Sequence, residues 1–160
     1  FNQGMQPIVG YNFGAKKIHR SLRAFKLTIF AATCVTTFMF LLAEIFPRFI
    51  ASAFTNNEEL LDLAVMGMRL NLLLFPIVGF QIVTASFFQS IGKAKFSIFL
   101  SLSRQVLFLI PALFILPHFW QLKGVWLAGP AADITASVLT LIVLRWQLGK
   151  MKSQVPAPAL

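Results

Sequence analysis

Four apolar stretches, each about as long as a membrane is thick, constrain the fold of this chain more than any other feature. A membrane-crossing helix needs about 20 mostly apolar residues. The stretches are too long for strands, and none alternates apolar with polar residues. The second lies within a helical pattern from 58 to 91, whose first turns are polar and interfacial. The sequence therefore predicts an all-α, polytopic transmembrane helical bundle with four complete spans, at about 27–46, 66–90, 96–116 and 125–144.

The two ends of the chain differ from this pattern. Residues 1–13 are expected to be the end of an earlier, partial span, because the chain enters in the middle of a helical pattern. We therefore expect the chain to be part of a longer protein. The bundle is predicted to cover 1–150, followed by a disordered cytoplasmic tail at 151–160, which contains two prolines.

The composition argues against a soluble domain. Hydrophobic residues make up 58% of the chain and charged residues only 12%, whereas a soluble domain carries about a quarter charged residues. The net charge of +9 would by itself suggest a nucleic-acid partner. The charges, however, lie in short clusters between apolar runs. We therefore predict that the protein lies in the lipid bilayer and binds no nucleic acid.

The basic residues are distributed unevenly between the two ends of the predicted spans. Segments 14–26, 92–95 and 145–152 hold ten of the fourteen Lys and Arg residues, and the opposite side holds Arg48 and Lys123. Cytoplasmic loops of membrane proteins are enriched in Lys and Arg. The pattern predicts a multi-pass protein of the cell (cytoplasmic) membrane with its C-terminus in the cytoplasm.

Polar and helix-breaking residues at membrane depth are the candidates for function, since such residues are costly in lipid. Pro7 and Pro76 are predicted helix bends, because proline removes a backbone donor and clashes with the preceding turn. Arg104 and Asp133 form a candidate internal charge pair. Four amides are candidates for lining a cargo cavity, with packing between helices as the alternative role of each: Gln6, Asn12, Gln81 and Gln89.

The remaining ionisable residues have simpler interpretations. Glu44 is expected either to snorkel to the interface or to pair with Arg48, four residues further on. Asp133 is a candidate for proton sensing, with a hydrogen bond between helices as the alternative. His19 and His118 fall in predicted loops, and the sequence contains no metal-ligand, nucleotide-binding or nucleophile motif. We predict that the protein is not an enzyme, holds no metal and uses no cofactor.

Several motifs occur in the order found in one transporter family. Residues 4–17, Gly-Met-Gln-Pro-Ile-Val-Gly-Tyr-Asn-Phe-Gly-Ala-Lys-Lys, resemble a signature of the multidrug and toxic compound extrusion (MATE) transporters, especially the bacterial MepA-like and DinF-like branch. That signature ends the eighth of twelve helices. Residues 86–93 resemble the end of the tenth helix, 104–111 the eleventh and 124–133 the start of the twelfth. The resemblance covers residues 1–150 and implies that this chain forms most of the second, C-terminal lobe of such a transporter.

The resemblance also implies a function. MATE proteins have two six-helix lobes and export amphipathic, often cationic drugs in exchange for H⁺ or Na⁺. The implied partners are therefore small-molecule drugs or toxic organic cations, the bilayer, and the N-terminal lobe of the same protein. The sodium-coupled branch carries an acidic residue in the middle of the tenth helix, but residues 69–89 contain no Asp or Glu. In the DinF-like branch a first-lobe carboxylate is implicated, so the family assigns no coupling residue here.

Two other functions remain alternatives. A lipid-linked saccharide flippase of related fold would need a more cationic cavity, to which Arg69 and Arg104 are the available contributors. A membrane-embedded enzyme would need clustered His, Asp or Cys at membrane depth, where the sequence offers Asp133.

Overall fold

Seven α-helices and one π-helical segment make up the part of the chain that the structure, a computed structural model, describes, residues 2–153. No strand occurs in this range, so the predicted all-α class is confirmed. Helix α7 continues to Ser153, and the rest of the predicted tail, 154–160, lies outside the described residues. The elements are α1 (Asn2–Gly14), α2 (Ile18–Ile45), α3 (Pro47–Ser52), α4 (Glu58–Leu72), α5 (Phe75–Ser90), α6 (Ala94–Leu102), the π segment (Ser103–Leu109) and α7 (Ile110–Ser153).

The C-terminal part of the bundle is a helical hairpin. The backbone leaves the helical region at Trp120 and Gln121, where φ of Gln121 is +48°. Fifty residues separate Phe96 from Trp146, and a straight helix would place them about 75 Å apart. Their ring centroids lie 6.0 Å apart, so the chain reverses between them. We call α6, the π segment and α7 up to residue 119 the first limb, and residues 122–153 the second limb.

The helical pattern that the sequence shows over residues 58–91 forms two helices in the structure, α4 and α5. Asn57 begins α4, and its side-chain oxygen accepts hydrogen bonds from the backbone N–H groups of Glu59 and Leu60, as expected of an N-cap. Helices α4 and α5 are bent by 47° at a short break. Pro76 lies in the first turn of α5, where its missing N–H costs little.

Two helical stretches of the described residues are long and apolar enough to cross a membrane. They are Ile18–Ile45 and Ala94–Met151, and the bent pair α4–α5 makes a third if it is one span. The sequence predicted four complete spans. Because Ala94–Met151 is the folded hairpin, its two limbs contain the predicted spans 96–116 and 125–144. The limits of each span remain predictions.

An aromatic cluster joins four helices at the end of the bundle where the basic loops lie, which we call the basic end. Ring centroids are 4.3 Å apart for Phe25 and Phe87, and 5.8 Å apart for Phe87 and Phe88. Phe88 also lies 5.8 Å from Phe96, which in turn contacts Trp146. The cluster connects α2, α5, α6 and α7. Phe87 and Phe88 are fully buried, and both belong to the hydrophobic core cluster.

The ion pairs at the opposite end differ from the prediction. Arg48 pairs with Asp62 at 2.5 Å, and Glu44 pairs with Arg69 at 3.2 Å, so the expected pair of Glu44 with Arg48 is wrong. The spacing of four residues would bring them together only on a continuous helix, and the backbone leaves the helix at Phe46. The hydrogen bond that Arg48 donates to Asp62, together with the negative charge of Asp62, raises the pKa of Arg48, which stays protonated at physiological pH.

Candidate functional site

An ion pair between a buried carboxylate and a partly exposed guanidinium lies at the centre of the hairpin. Nε of Arg104, in the first limb, lies 2.6 Å from Oδ1 of Asp133, in the second limb. The Asp133 side chain is 6% exposed and that of Arg104 is 37% exposed. These are the two residues that the sequence analysis named as a candidate pair. Because each charge is costly at membrane depth, their contact ties the two limbs together.

A third helix joins this pair through an amide. Nε2 of Gln81, on α5, donates hydrogen bonds to the Asp133 carbonyl oxygen at 2.9 Å and to Ser137 Oγ at 2.6 Å. Ser137 Oγ in turn donates to the Asp133 carbonyl oxygen at 2.6 Å. Gln81 is 7% exposed, and a buried amide is costly unless it is bonded. We call Arg104, Asp133, Gln81 and Ser137 the polar node.

The π segment positions Arg104. Ile110 donates its backbone N–H to the carbonyl of Gln105, five residues earlier, which is the π pattern. The next residue, Pro111, has no N–H and its ring crowds the preceding turn, so a regular α ladder is disfavoured here. At the start of the segment, Ser103 Oγ donates to the Phe99 carbonyl at 2.6 Å. The widened turn places Arg104 toward the second limb.

Two cavities lie on either side of Arg104. One, of about 190 Å³, extends along the node toward the basic end and is lined by Gln81, Ser101, Gln105 and Thr140, among others. The other, of about 300 Å³, is lined by Asn71, Trp126, Gly129 and Asp133, among others. Arg104 lines both. The Arg104 side chain therefore stands between two partly open, polar-edged pockets.

A third, larger cavity continues toward the end opposite the basic loops. It is a wide, open groove of about 610 Å³ on the surface of α4 and has mostly apolar walls. Asn71 and Trp126 line this cavity as well as the 300 Å³ one. These two side chains thus form the wall between the spaces.

Glycines allow that wall to pack closely. A Cβ at Gly67 would lie 2.8 Å from Cε2 of Trp126, and a Cβ at Gly129 would lie 2.7 Å from Oδ1 of Asn71. Each distance is below that of real Cβ contacts. The large residue of each helix therefore sits against a glycine of the other, and α4 and the second limb interlock reciprocally.

Comparison with known proteins identifies the family. The family model MatE matches residues 1–115 of the chain. The chain belongs to the MatE family. A solved structure of the MATE multidrug transporter DinF-BH, in complex with rhodamine 6G, is 41% identical with a TM-score of 0.85. The match covers 90% of this chain and 32% of that one.

More distant MATE structures share the fold. An outward-facing multidrug resistance MATE transporter of the MOP superfamily is 18% identical with a TM-score of 0.88, covering 96% of this chain and 35% of that one. A MOP superfamily transporter from Pyrococcus furiosus is 18% identical with a TM-score of 0.87, covering 94% and 34%. The chain thus spans about a third of the length of these transporters. No curated protein matches the chain.

The other candidate residues of this MATE chain do not join the polar node. Asn12 Nδ2 donates to the Ile8 carbonyl at 2.8 Å, within α1, and Gln6 is half-buried on the same helix. Gln89 is exposed near the end of α5. Pro7 lies inside α1, which is helical from Asn2 to Gly14. Of the four amides, Gln81 is the one that the structure places against Asp133.

Several residues of the site were not among the sequence candidates. Ser137 lies four residues after Asp133, a spacing that places both on one helix face, and this signal was available. The Gly67–Trp126 and Gly129–Asn71 contacts leave no comparable signal, because their partners are more than fifty residues apart. Within the described residues no group of three His, Cys, Asp or Glu side chains is placed to hold a metal ion.

Proposed function

We propose that this chain is part of a secondary active transporter that exports amphipathic, often cationic drugs in exchange for H⁺ or Na⁺. The observation that carries the proposal is the 41% identity over 90% of the chain to a MATE multidrug transporter in complex with a small-molecule drug. Membership of the MatE family supports transport over catalysis. Under this proposal the cargo is a drug, the coupling ion is H⁺ or Na⁺, and an N-terminal lobe completes the transporter.

The charge balance favours drug export over the flippase alternative. A flippase cavity that holds a pyrophosphate would need uncompensated cationic groups. Arg104 is paired with Asp133, and Arg69 with Glu44. Both arginines that the sequence offered for such a cavity are therefore neutralised by a carboxylate in this structure.

We propose that the bent helix α4–α5 takes part in alternating access. Transporters of this kind move one bundle against another around a central site. Helix α5 is tied to the aromatic cluster and to the polar node, whereas α4 contacts the second limb through the glycine interlock. Motion at the break between them would move α4 without breaking the core at the basic end. That end is proposed to face the cytoplasm, since it carries the clustered basic residues.

Transport by the protein that carries this chain, purified and reconstituted in liposomes, tests the proposal. Rhodamine 6G export is measured after an imposed pH gradient, an imposed sodium gradient, or neither. Export driven by one gradient is expected. Export that no gradient stimulates would contradict antiport, and translocation of a lipid-linked saccharide instead would favour the flippase.

The cargo role of the remaining amides is tested in the same assay. Gln89 is exposed and Gln6 half-buried, so each is proposed to contact the drug, and Gln89→Leu and Gln6→Leu are expected to raise the drug concentration for half-maximal export. Tyr11→Phe, at a position 78% exposed on α1, is the matched surface control. Unchanged concentration dependence in both Leu variants would remove these residues from the cargo site.

A further inference from the structure

Helix α2 has a buried side and an exposed side, and the exposed side changes character along its length. Ser21, Phe25 and Ala43 are buried. On the opposite side, within an arc of about 120° at 100° per residue, lies a surface that we call the outer face of α2. It begins with three exposed basic residues and continues with exposed apolar ones: Arg20, Arg23, Lys26, Leu27, Phe30 and, at the far end, Ile45.

The apolar part of this face has the length of a membrane core. From Leu27 to Ile45 the helix rises by about 27 Å, and the hydrocarbon core of a bilayer is about 30 Å thick. Every exposed residue between these two is apolar, and α2 is among the helices long and apolar enough to cross a membrane. The outer face therefore suits contact with lipid, with Lys26 at the boundary of the core.

The basic residues lie at the depth of the lipid headgroups. The headgroup layer adds about 5–8 Å on each side of the core, and Arg23 lies only about 6 Å from Leu27 along the helix axis. Side chains of a helix tilt toward its N-terminus, which for α2 is the basic end. Arg23 and Lys26 therefore extend away from the hydrocarbon and into the headgroup layer, with Arg20 one turn further out.

No carboxylate of the protein is placed to neutralise these three cations. Of the five Asp and Glu residues, four lie at positions 44–62, toward the end opposite the basic loops, and Asp133 pairs with Arg104. Within residues 2–153, the side chains of Arg20, Arg23 and Lys26 make no hydrogen bond or ion pair.

Other basic side chains at the same end are engaged by the protein itself. Lys93 Nζ donates a hydrogen bond to Gln147 Oε1 at 2.5 Å. Lys150 Nζ lies 3.9 Å from the centroid of the Trp146 ring. The three cations of the outer face are thus the ones whose counter-charge has to come from outside the described part of the chain.

We propose that Arg20, Arg23 and Lys26 bind the headgroup of an anionic phospholipid in the leaflet that the basic end faces. An arginine fork matches two phosphate oxygens, and Lys26 adds a point charge at the edge of the core. An acyl chain of the same lipid lies along Leu27 and Phe30, which are 70% and 69% exposed. The inference goes beyond drug export and does not depend on it.

The charge of the site selects the class of lipid. A phosphatidylcholine headgroup also has a phosphate, but its quaternary ammonium cancels that charge, and three cations without carboxylate partners repel it. Phosphatidylglycerol keeps its net negative charge. Each Lys or Arg near an anionic membrane surface contributes about a fivefold factor in binding, so two substitutions together are expected to weaken binding about 25-fold.

Lipid titration of the protein that carries this chain, purified in detergent micelles, tests the proposal. Native mass spectrometry measures the affinity for phosphatidylglycerol and for phosphatidylcholine. Wild type is expected to prefer phosphatidylglycerol, and Arg23→Gln combined with Lys26→Gln to lose about 25-fold of that affinity. Lys123→Gln, at an exposed position near the turn of the hairpin, is the matched control and is expected to change it less than about twofold.

Three results would overturn the proposal. They are equal affinity of wild type for the two lipids, unchanged phosphatidylglycerol affinity in the double variant, and an equal loss in Lys123→Gln, which would indicate a response to net charge alone. Displacement of the lipid by millimolar inorganic phosphate would show a free-phosphate site instead. If the double variant does not fold, the single variants carry the test, each with an expected loss of about fivefold.

Discussion

The turn of the helical hairpin depends on the absence of one side chain, at Gly124. Gly124 lies three residues after the backbone reversal at Gln121. A Cβ placed on it would clash with the Leu116 carbonyl oxygen and would lie 2.5 Å from the Leu116 carbonyl carbon and 2.7 Å from the Pro117 nitrogen. These are backbone atoms of the opposing limb, so no rotamer change relieves the contact. We predict that Gly124→Ala destabilises the hairpin.

The size of the effect follows from these distances. Ordinary contact begins at 3.4 Å, so the limbs must separate by about 1 Å at the turn, and forced overpacking costs about 1–3 kcal/mol. Replacing a helical glycine by alanine recovers up to about 1 kcal/mol. Because only backbone can move, we expect a net loss of about 2 kcal/mol. Gly149→Ala, in the same limb with nothing within 4 Å, is expected to gain up to about 1 kcal/mol.

The measurement is the free energy of unfolding of both variants and wild type in the same detergent micelles. Opposite signs for Gly124→Ala and Gly149→Ala are expected, since both make the same chemical change in the same helix. If Gly124→Ala is as stable as wild type, or if both variants shift equally, the close approach of the limbs at this turn is refuted.

Two further substitutions test the packing. Phe87 is fully buried, with its ring 4.3 Å from that of Phe25, so Phe87→Ala should lower the free energy of unfolding by about 3–5 kcal/mol. Phe114→Ala, at a position 79% exposed, should change it far less, and equal losses would argue against the aromatic cluster as the core. Gly67→Ala should destabilise the protein by about 1–2 kcal/mol, because the new methyl meets the Trp126 ring. Combining it with Trp126→Leu should remove most of that extra cost in a double-mutant cycle, and strict additivity would contradict the interlock.

The apolar stretches and the motifs were sufficient for the fold class and the family. A run of about 20 apolar residues has few alternatives in a membrane, because every backbone group must be bonded within the segment. Residues 4–17 carried the resemblance, and the match of the family model to residues 1–115 confirmed it. The candidate pair of Arg104 and Asp133 came from a similar argument, since two opposite charges at membrane depth need partners.

Sequence reasoning failed where the partner lies on a distant helix. Glu44 was assigned to Arg48 by spacing, yet it contacts Arg69, because the backbone leaves the helix between the first two. Gln81 and Gln89 were both candidates for lining a cavity, with packing between helices as the alternative, and the sequence did not show that Gln81 is buried against Asp133 while Gln89 is exposed. The spacing of residues along a helix predicts which of them lie on the same face. It does not predict which residues of another helix pack against that face.

The sequence by itself therefore determined that this chain is helical, crosses a membrane and belongs among the MATE transporters, because length, hydrophobicity and local motifs act within one segment. Only the tertiary structure decided where the hairpin reverses, which carboxylate Arg48, Arg69 and Arg104 each meet, and that pockets lie on either side of Arg104. These features depend on side chains that are distant in sequence and on the space left between helices. Glycines set much of that space, and the effect of a missing side chain is visible only when the neighbouring helix is in place.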